Sequence, residues 1–113
     1  MQKETMTVEQ LRNMIAEGKA AANKAALDYI NTHGEDWYCG FAWTSIYDVK
    51  GNTKLGRALK KAGIEQAWDK SFQIWNPSEL GTQSMSVKEA GAQACAEVFR
   101  KYGFTAYMGS RAD

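Results

Sequence analysis

Trp37-Tyr38-Cys39-Gly40-Phe41-Ala42-Trp43-Thr44-Ser45-Ile46-Tyr47-Asp48-Val49 is the stretch whose reading decides the fold. Its β-branched and aromatic content marks a strand, and a strand sends alternate side chains to opposite faces. The odd positions carry Trp37, Cys39, Phe41, Trp43, Ser45 and Tyr47, a bulky face. The even positions carry Tyr38, Gly40, Ala42, Thr44 and Ile46, read as a small-residue surface against which a helix could lie closely. The bulky face is then either a second buried layer or an exposed binding platform, and the exposure of Trp43 decides between them.

On the N-terminal side of this strand, Thr7-Val8-Glu9-Gln10 forms a capping box that opens a long helix, after a largely polar stretch at residues 1–6 expected to be frayed. Apolar or small residues recur at Val8, Leu11, Ile15, Gly18, Ala22, Ala25 and Tyr29 at helical spacing, and the helix ends near Asn31 to Gly34. Small side chains at Gly18 to Ala26 imply close approach of a second element, although the same spacing would serve helix dimerisation. Following the strand, Gly51-Asn52-Thr53 turns into a short helix with Leu55, Ala58, Leu59 and Ala62 on one face, stopped by Gly63.

Lys70 to Asn76 reads as a second strand closed by Pro77, the single proline, whose missing N–H suits a strand end. Ser86-Val87-Lys88-Glu89 reads as a second capping box, opening a helix that Gly103 ends. Phe104 to Met108 reads as a third strand, with a polar tail from Gly109 to Asp113. The expected fold is a single α/β or α+β domain over residues 7–113, with a three-stranded sheet and three helices in the order α-β-α-β-α-β. Alternation favours right-handed parallel crossovers, and these lengths equally allow antiparallel pairing.

Composition bounds the function. The 113 residues are 44% hydrophobic and 24% charged, enough for one core, and the net charge of +1 demands no polyanionic partner. The charge is uneven, however: residues 1 to 36 sum to −2, residues 37 to 63 to +4 and residues 64 to 113 to −1. Cys39 and Cys95 lie in a strand-like and a helical pattern, where cysteine behaves as a small hydrophobe, so no disulfide is expected. With no apolar signal core and no run near the ~20 apolar residues of a membrane span, a reducing cytoplasm is the expected location.

Two clusters are candidate binding sites. Lys50, Lys54, Arg57, Lys60 and Lys61 form a cationic run with no acidic residue between Asp48 and Glu65, beside the aromatic strand that carries Trp43. Cations neutralise phosphates and exposed rings stack on bases, so this combination suits single-stranded nucleic acid or RNA, or a host protein surface. No aromatic RNA-binding signature or G-x-x-G loop accompanies it. The second cluster is the polar loop at residues 81–86, where Thr82, Ser84 and Ser86 precede a helix N-terminus and Arg111 would complete an anion or nucleotide site if strand order allows. It lacks the G-x-x-x-x-G-K-[ST] pattern.

Catalytic chemistry finds little support. His33, Cys39 and Glu35 or Asp36 are the one nucleophile–base set close in sequence, and their spacing matches no motif, so no catalytic residue is assigned. One histidine and two distant cysteines give no metal-ligand spacing, the carboxylates are scattered, and no cofactor is indicated. Cys-Gly-Phe-Ala-Trp (39 to 43), Gln-Ile-Trp (73 to 75), Gln-Ser-Met with Lys-Glu-Ala (83 to 90) and the terminal Ser-Arg-Ala-Asp (110 to 113) together resemble small uncharacterised proteins of tailed bacteriophages. That resemblance spans about residues 39 to 113 and implies viral origin and a life in the host cytoplasm. It also implies a non-enzymatic role, by binding a host protein or nucleic acid or as an oligomeric virion component. No site residue transfers from it.

Overall fold

The computed structural model describes residues 2–113. Helix α1 spans Val8–His33, and its start is the expected reciprocal cap: the Thr7 hydroxyl accepts from the Gln10 N–H while the Gln10 side chain accepts from the Thr7 N–H. Ahead of it, Lys3–Thr5 form a 3-10 turn and Met6 is buried in the core, so the segment expected to be frayed is tied down by the Met6 side chain; Met1 lies outside the described residues.

The small stripe of α1 meets helix α3, Met85–Lys101. A Cβ built on Gly18 would lie 2.9 Å from both Cys95 Sγ and Phe99 Cε1, and one on Gly91 would lie 3.2 Å from the Ala22 carbonyl oxygen. Glycine at these two positions brings the backbones of α1 and α3 together, so the stripe serves packing within the chain. Glu17 ties the same pair at the surface, accepting from Lys101 Nζ and from the Tyr102 hydroxyl.

Four strands form the sheet: β1 Gly40–Tyr47, β2 Glu65–Gln66, β3 Phe72–Trp75 and β4 Thr105–Ala112, in the order β2-β3-β1-β4. All pairings are antiparallel, which makes the domain α+β and sets aside the parallel alternative. Because β3 and β4 each run against β1, they are parallel to one another, and α3 connects them as a split β-α-β unit with β1 inserted. Two strand expectations change. Residues 109–112 extend β4, pairing Gly109 with Trp43 through to Ala112 with Gly40; the ladder on β1 outweighs the poor strand propensity of Gly-Ser-Arg-Ala. The two-residue β2 adds a fourth strand that its polar sequence does not announce.

Helix α2, Lys54–Ala62, is capped by Thr53, whose hydroxyl accepts from the Gly56 N–H at 3.0 Å, and ends at Gly63 in the left-handed region (φ 109°). Leu55 and Leu59 join Leu11, Met14, Ile46, Phe72, Phe99 and Ala106 in one core. The helices therefore cover the small face of β1. Ala42, Thr44 and Ile46 are buried there, and the Thr44 hydroxyl donates to the Ala92 carbonyl of α3 at 2.8 Å. Cys95 is buried in the same layer, where burial pushes its thiol up to about 11, and both cysteines are free thiols. No helix among the described residues is long and apolar enough to cross a membrane.

Candidate nucleic-acid interface

Directly opposed residues of antiparallel strands share a face, so the register defines the side of the sheet turned away from the helices. Phe41 stands opposite Arg111, Trp43 lies between Trp75 and Gly109, Ser45 lies between Gln73 and Tyr107, and Tyr47 faces Thr105. Every rung along β1 thus carries at least one aromatic ring. Same-face residues on a strand are about 6.5–7 Å apart, so the rings form a ladder at that spacing.

The rings are organised. Trp43 and Trp75 stack with centroids 4.6 Å apart and planes 23° from parallel, and Phe41 tilts against Trp75 at 6.0 Å. Gly109 makes room for this stack: a Cβ there would lie 2.5 Å from Trp43 Nε1. The Arg111 guanidinium lies 5.4 Å from the Phe41 centroid and 5.8 Å from that of Trp75, and Lys88 Nζ lies 5.3 Å from Phe41 while donating to the Gly40 carbonyl. Farther along, Tyr47 and Tyr107 approach to 6.3 Å, and Arg100 sits 5.7 Å from Tyr107.

Trp75 is 47% exposed and Tyr107 57%, while Phe41 and Trp43 are half-buried by their neighbours. The bulky face is therefore an open surface and not a second core layer. In its middle, Ser45 is 1% exposed and its hydroxyl has no hydrogen-bond partner.

The cations touching these rings are Arg111, Lys88 and Arg100. The five expected cations divide into two groups. Lys50 and Lys60 meet the face at its Tyr47 end, where with Lys70 they line a cleft of about 710 Å³. Lys54, Arg57 and Lys61 are exposed on α2 outside that lining, with Arg57 donating to the Asn52 carbonyl. The cation beside the Trp43–Trp75 stack is Arg111, over the Trp75 and Phe41 rings, and not one of the α2 cations. Sequence adjacency suggested the wrong pairing because α2 folds onto the helix layer while β4 supplies the neighbour of β1.

The loop at residues 81–86 holds the chain's own carboxylates where an external anion was expected. The Thr82 hydroxyl donates to Glu35, and the hydroxyls of Ser84 and Ser86 donate to the two oxygens of Asp36. Ser84 and not Ser86 caps α3, accepting from the Val87 N–H at 3.3 Å; the helix starts at Met85, which puts Ser86 inside its first turn. Arg111 lies with Phe41 and Trp75, so it does not complete an anion site there. The nucleophile–base set is not assembled either: His33 packs on Tyr29 at 4.5 Å, while the Cys39 thiol points to the Trp37 carbonyl.

Hydrogen bonds from Ser84 and then Ser86 hold the Asp36 carboxyl below its ordinary value. A carboxyl lowered by folding contributes stability above its unfolded value of about 4, and that contribution is lost as pH falls through the lower folded value. Asp36→Asn is therefore expected to reduce stability at neutral pH and to flatten the loss of stability below about pH 4, read by thermal melts at neutral and acid pH. Ser84→Ala, which removes the α3 cap as well, is expected to cost about 1 kcal/mol or more at neutral pH.

Comparison with protein-family models, curated protein sequences and solved structures found no match. The site must accordingly be read from its own chemistry. No group of three or more His, Cys, Asp or Glu side chains among the described residues is placed to hold a metal ion.

Proposed function

We propose that this protein is a non-enzymatic binding module that holds single-stranded nucleic acid on the open face of its sheet. The observation that carries this reading is the pre-stacked Trp43–Trp75 pair, flanked by Phe41 and capped by Arg111. Bases of any identity stack on aromatic faces, at about 1–3 kcal/mol each, while arginine serves both the ring and the phosphate. A protein partner of obligate type would favour an apolar centre depleted in charge. Here cations lie against Phe41, Trp75 and Tyr107, which favours a polyanion with aromatic groups.

Recognition by stacking and charge carries little sequence preference, because every base has a π-face. Fluorescence anisotropy of labelled 12-nucleotide single strands, DNA and RNA, at low and moderate salt tests this. Salt-sensitive binding of the single strands, with weaker binding of a duplex of equal length, is the expected result. Equal binding of duplex and single strand, or no binding at low salt, would overturn the reading.

A further inference from the structure

We propose that the cleft at the Tyr47 end of the aromatic face is a phosphate subsite for the same single strand, an inference that rests on the reading above. Its lysines come from three separate segments: Lys50 from the β1–α2 loop, Lys60 from α2 and Lys70 from the β2–β3 turn. Nothing in local sequence requires them to meet, and the fold brings all three to one lining.

The loops that make the cleft are held in unusual backbone. Asp48 on one wall (φ 63°) and Lys70 on the other (φ 74°) both occupy the left-handed region without being glycine. Such residues cost free energy and concentrate at ligand sites. Between these walls, the Gln66 amide donates to the Lys70 carbonyl at 3.0 Å, and Lys60 Nζ lies 3.3 Å from the Gly51 carbonyl. A Cβ on Gly51 would lie 2.6 Å from Gln66 Oε1 and 3.0 Å from Lys60 Nζ, so glycine there lets the first loop close on both side chains.

The charged groups of the lining are Lys50, Lys60, Lys70, Asp48 and Asp69. Asp69 is turned to its own turn, accepting from the Ser71 hydroxyl at 2.7 Å and the Ser71 N–H at 3.0 Å. Those bonds favour the charged form of Asp69, so the lining carries three cations against two carboxylates and remains net positive by one, with the Asp69 carboxylate held on its own turn. Tyr47 belongs both to this lining and to the last rung of the aromatic ladder. A strand stacked along β1 therefore leads its backbone past Tyr47 into the lysines, so the cleft takes phosphodiester groups and the face takes bases.

The test is the salt dependence of single-strand affinity in three variants of the full chain. Each phosphate contact contributes about 0.7 to the slope of log affinity against log salt for a single strand. Lys50→Gln/Lys60→Gln/Lys70→Gln is expected to make that slope shallower by about 2. Lys54→Gln/Arg57→Gln/Lys61→Gln, which removes the same charge from outside the lining, is expected to change it by less than half as much. Trp75→Ala is expected to weaken binding with the slope retained.

An unchanged slope in the first variant, or an equal change in the first two, would overturn the phosphate subsite while leaving the aromatic platform standing. Absence of strand binding by the unaltered protein would overturn both. Circular dichroism melts separate loss of contact from loss of fold, and the substituted side chains are exposed.

Discussion

Phe99→Ala is expected to cost about 3–5 kcal/mol of folding stability, the largest effect of any single truncation considered. Phe99 is fully buried on α3, and its ring edge reaches the space left by Gly18 on α1. Two backbones held that close cannot shift inward to fill the hole, because Gly18, Ala22, Gly91 and Ala92 have no side-chain length to give. Set against the 5–15 kcal/mol by which folded domains are stable, such a loss lowers the melting temperature by roughly 10 °C or more. Chemical denaturation of the two proteins checks it. A cost under about 1 kcal/mol would mean that the α1–α3 contact does not carry the core.

Trp75→Ala should behave in the opposite way, with little loss of fold and a large loss of binding. Trp75 is 47% exposed on a strand of four residues, and its removal forfeits mainly the stack on Trp43, about 1 kcal/mol. Binding loses more. The ring is itself a stacking surface, it holds Trp43 in plane, and it is one of two rings beneath Arg111. A loss of about 1–3 kcal/mol corresponds to roughly 5- to 150-fold weaker affinity for a single-stranded oligonucleotide. Anisotropy titration beside a thermal melt reads both quantities. The pair Phe99→Ala and Trp75→Ala thereby separates the covered side of the sheet from the open one.

The division between those sides was already legible in residues 37–49. Gly40 and Ala42 are small where a helix lies on them, Thr44 and Ile46 are buried in the same layer, and the alternation with the bulky odd positions indicates two unlike faces. The caps at Thr7 and Thr53 were also legible, since each depends on a side chain two or three residues from the N–H it satisfies. What failed were features decided at long range. Gly-Ser-Arg-Ala at 109–112 becomes strand because β1 offers it a ladder, and the cap of α3 falls on Ser84, whose hydroxyl and that of Ser86 both donate to Asp36, a residue 48 and 50 positions away.

The site suffered from the same limit. Trp43 was identifiable from its own strand, but its companions Trp75, Tyr107 and Arg111 depend on which strands flank β1 and in what register. The parity of Trp43 and Trp75 within their strands was readable; their pairing was not. Lys70 joins Lys50 and Lys60 through a turn that strand propensity does not reveal. Charge clustered along the chain drew attention to Lys54, Arg57 and Lys61, whereas the cations on the rings are isolated in sequence and gathered by the fold.

The central claim, that the open aromatic face is the ligand surface, is tested most directly by the four tryptophan indole N–H resonances during titration with a single-stranded oligonucleotide. Trp37 and Trp68, 99% and 94% exposed, lie outside the stacked pair and serve as internal references. The Trp43 and Trp75 signals are expected to shift together and saturate at one concentration, with smaller changes at Trp37 and Trp68. Saturable binding that leaves Trp43 and Trp75 unmoved would contradict it.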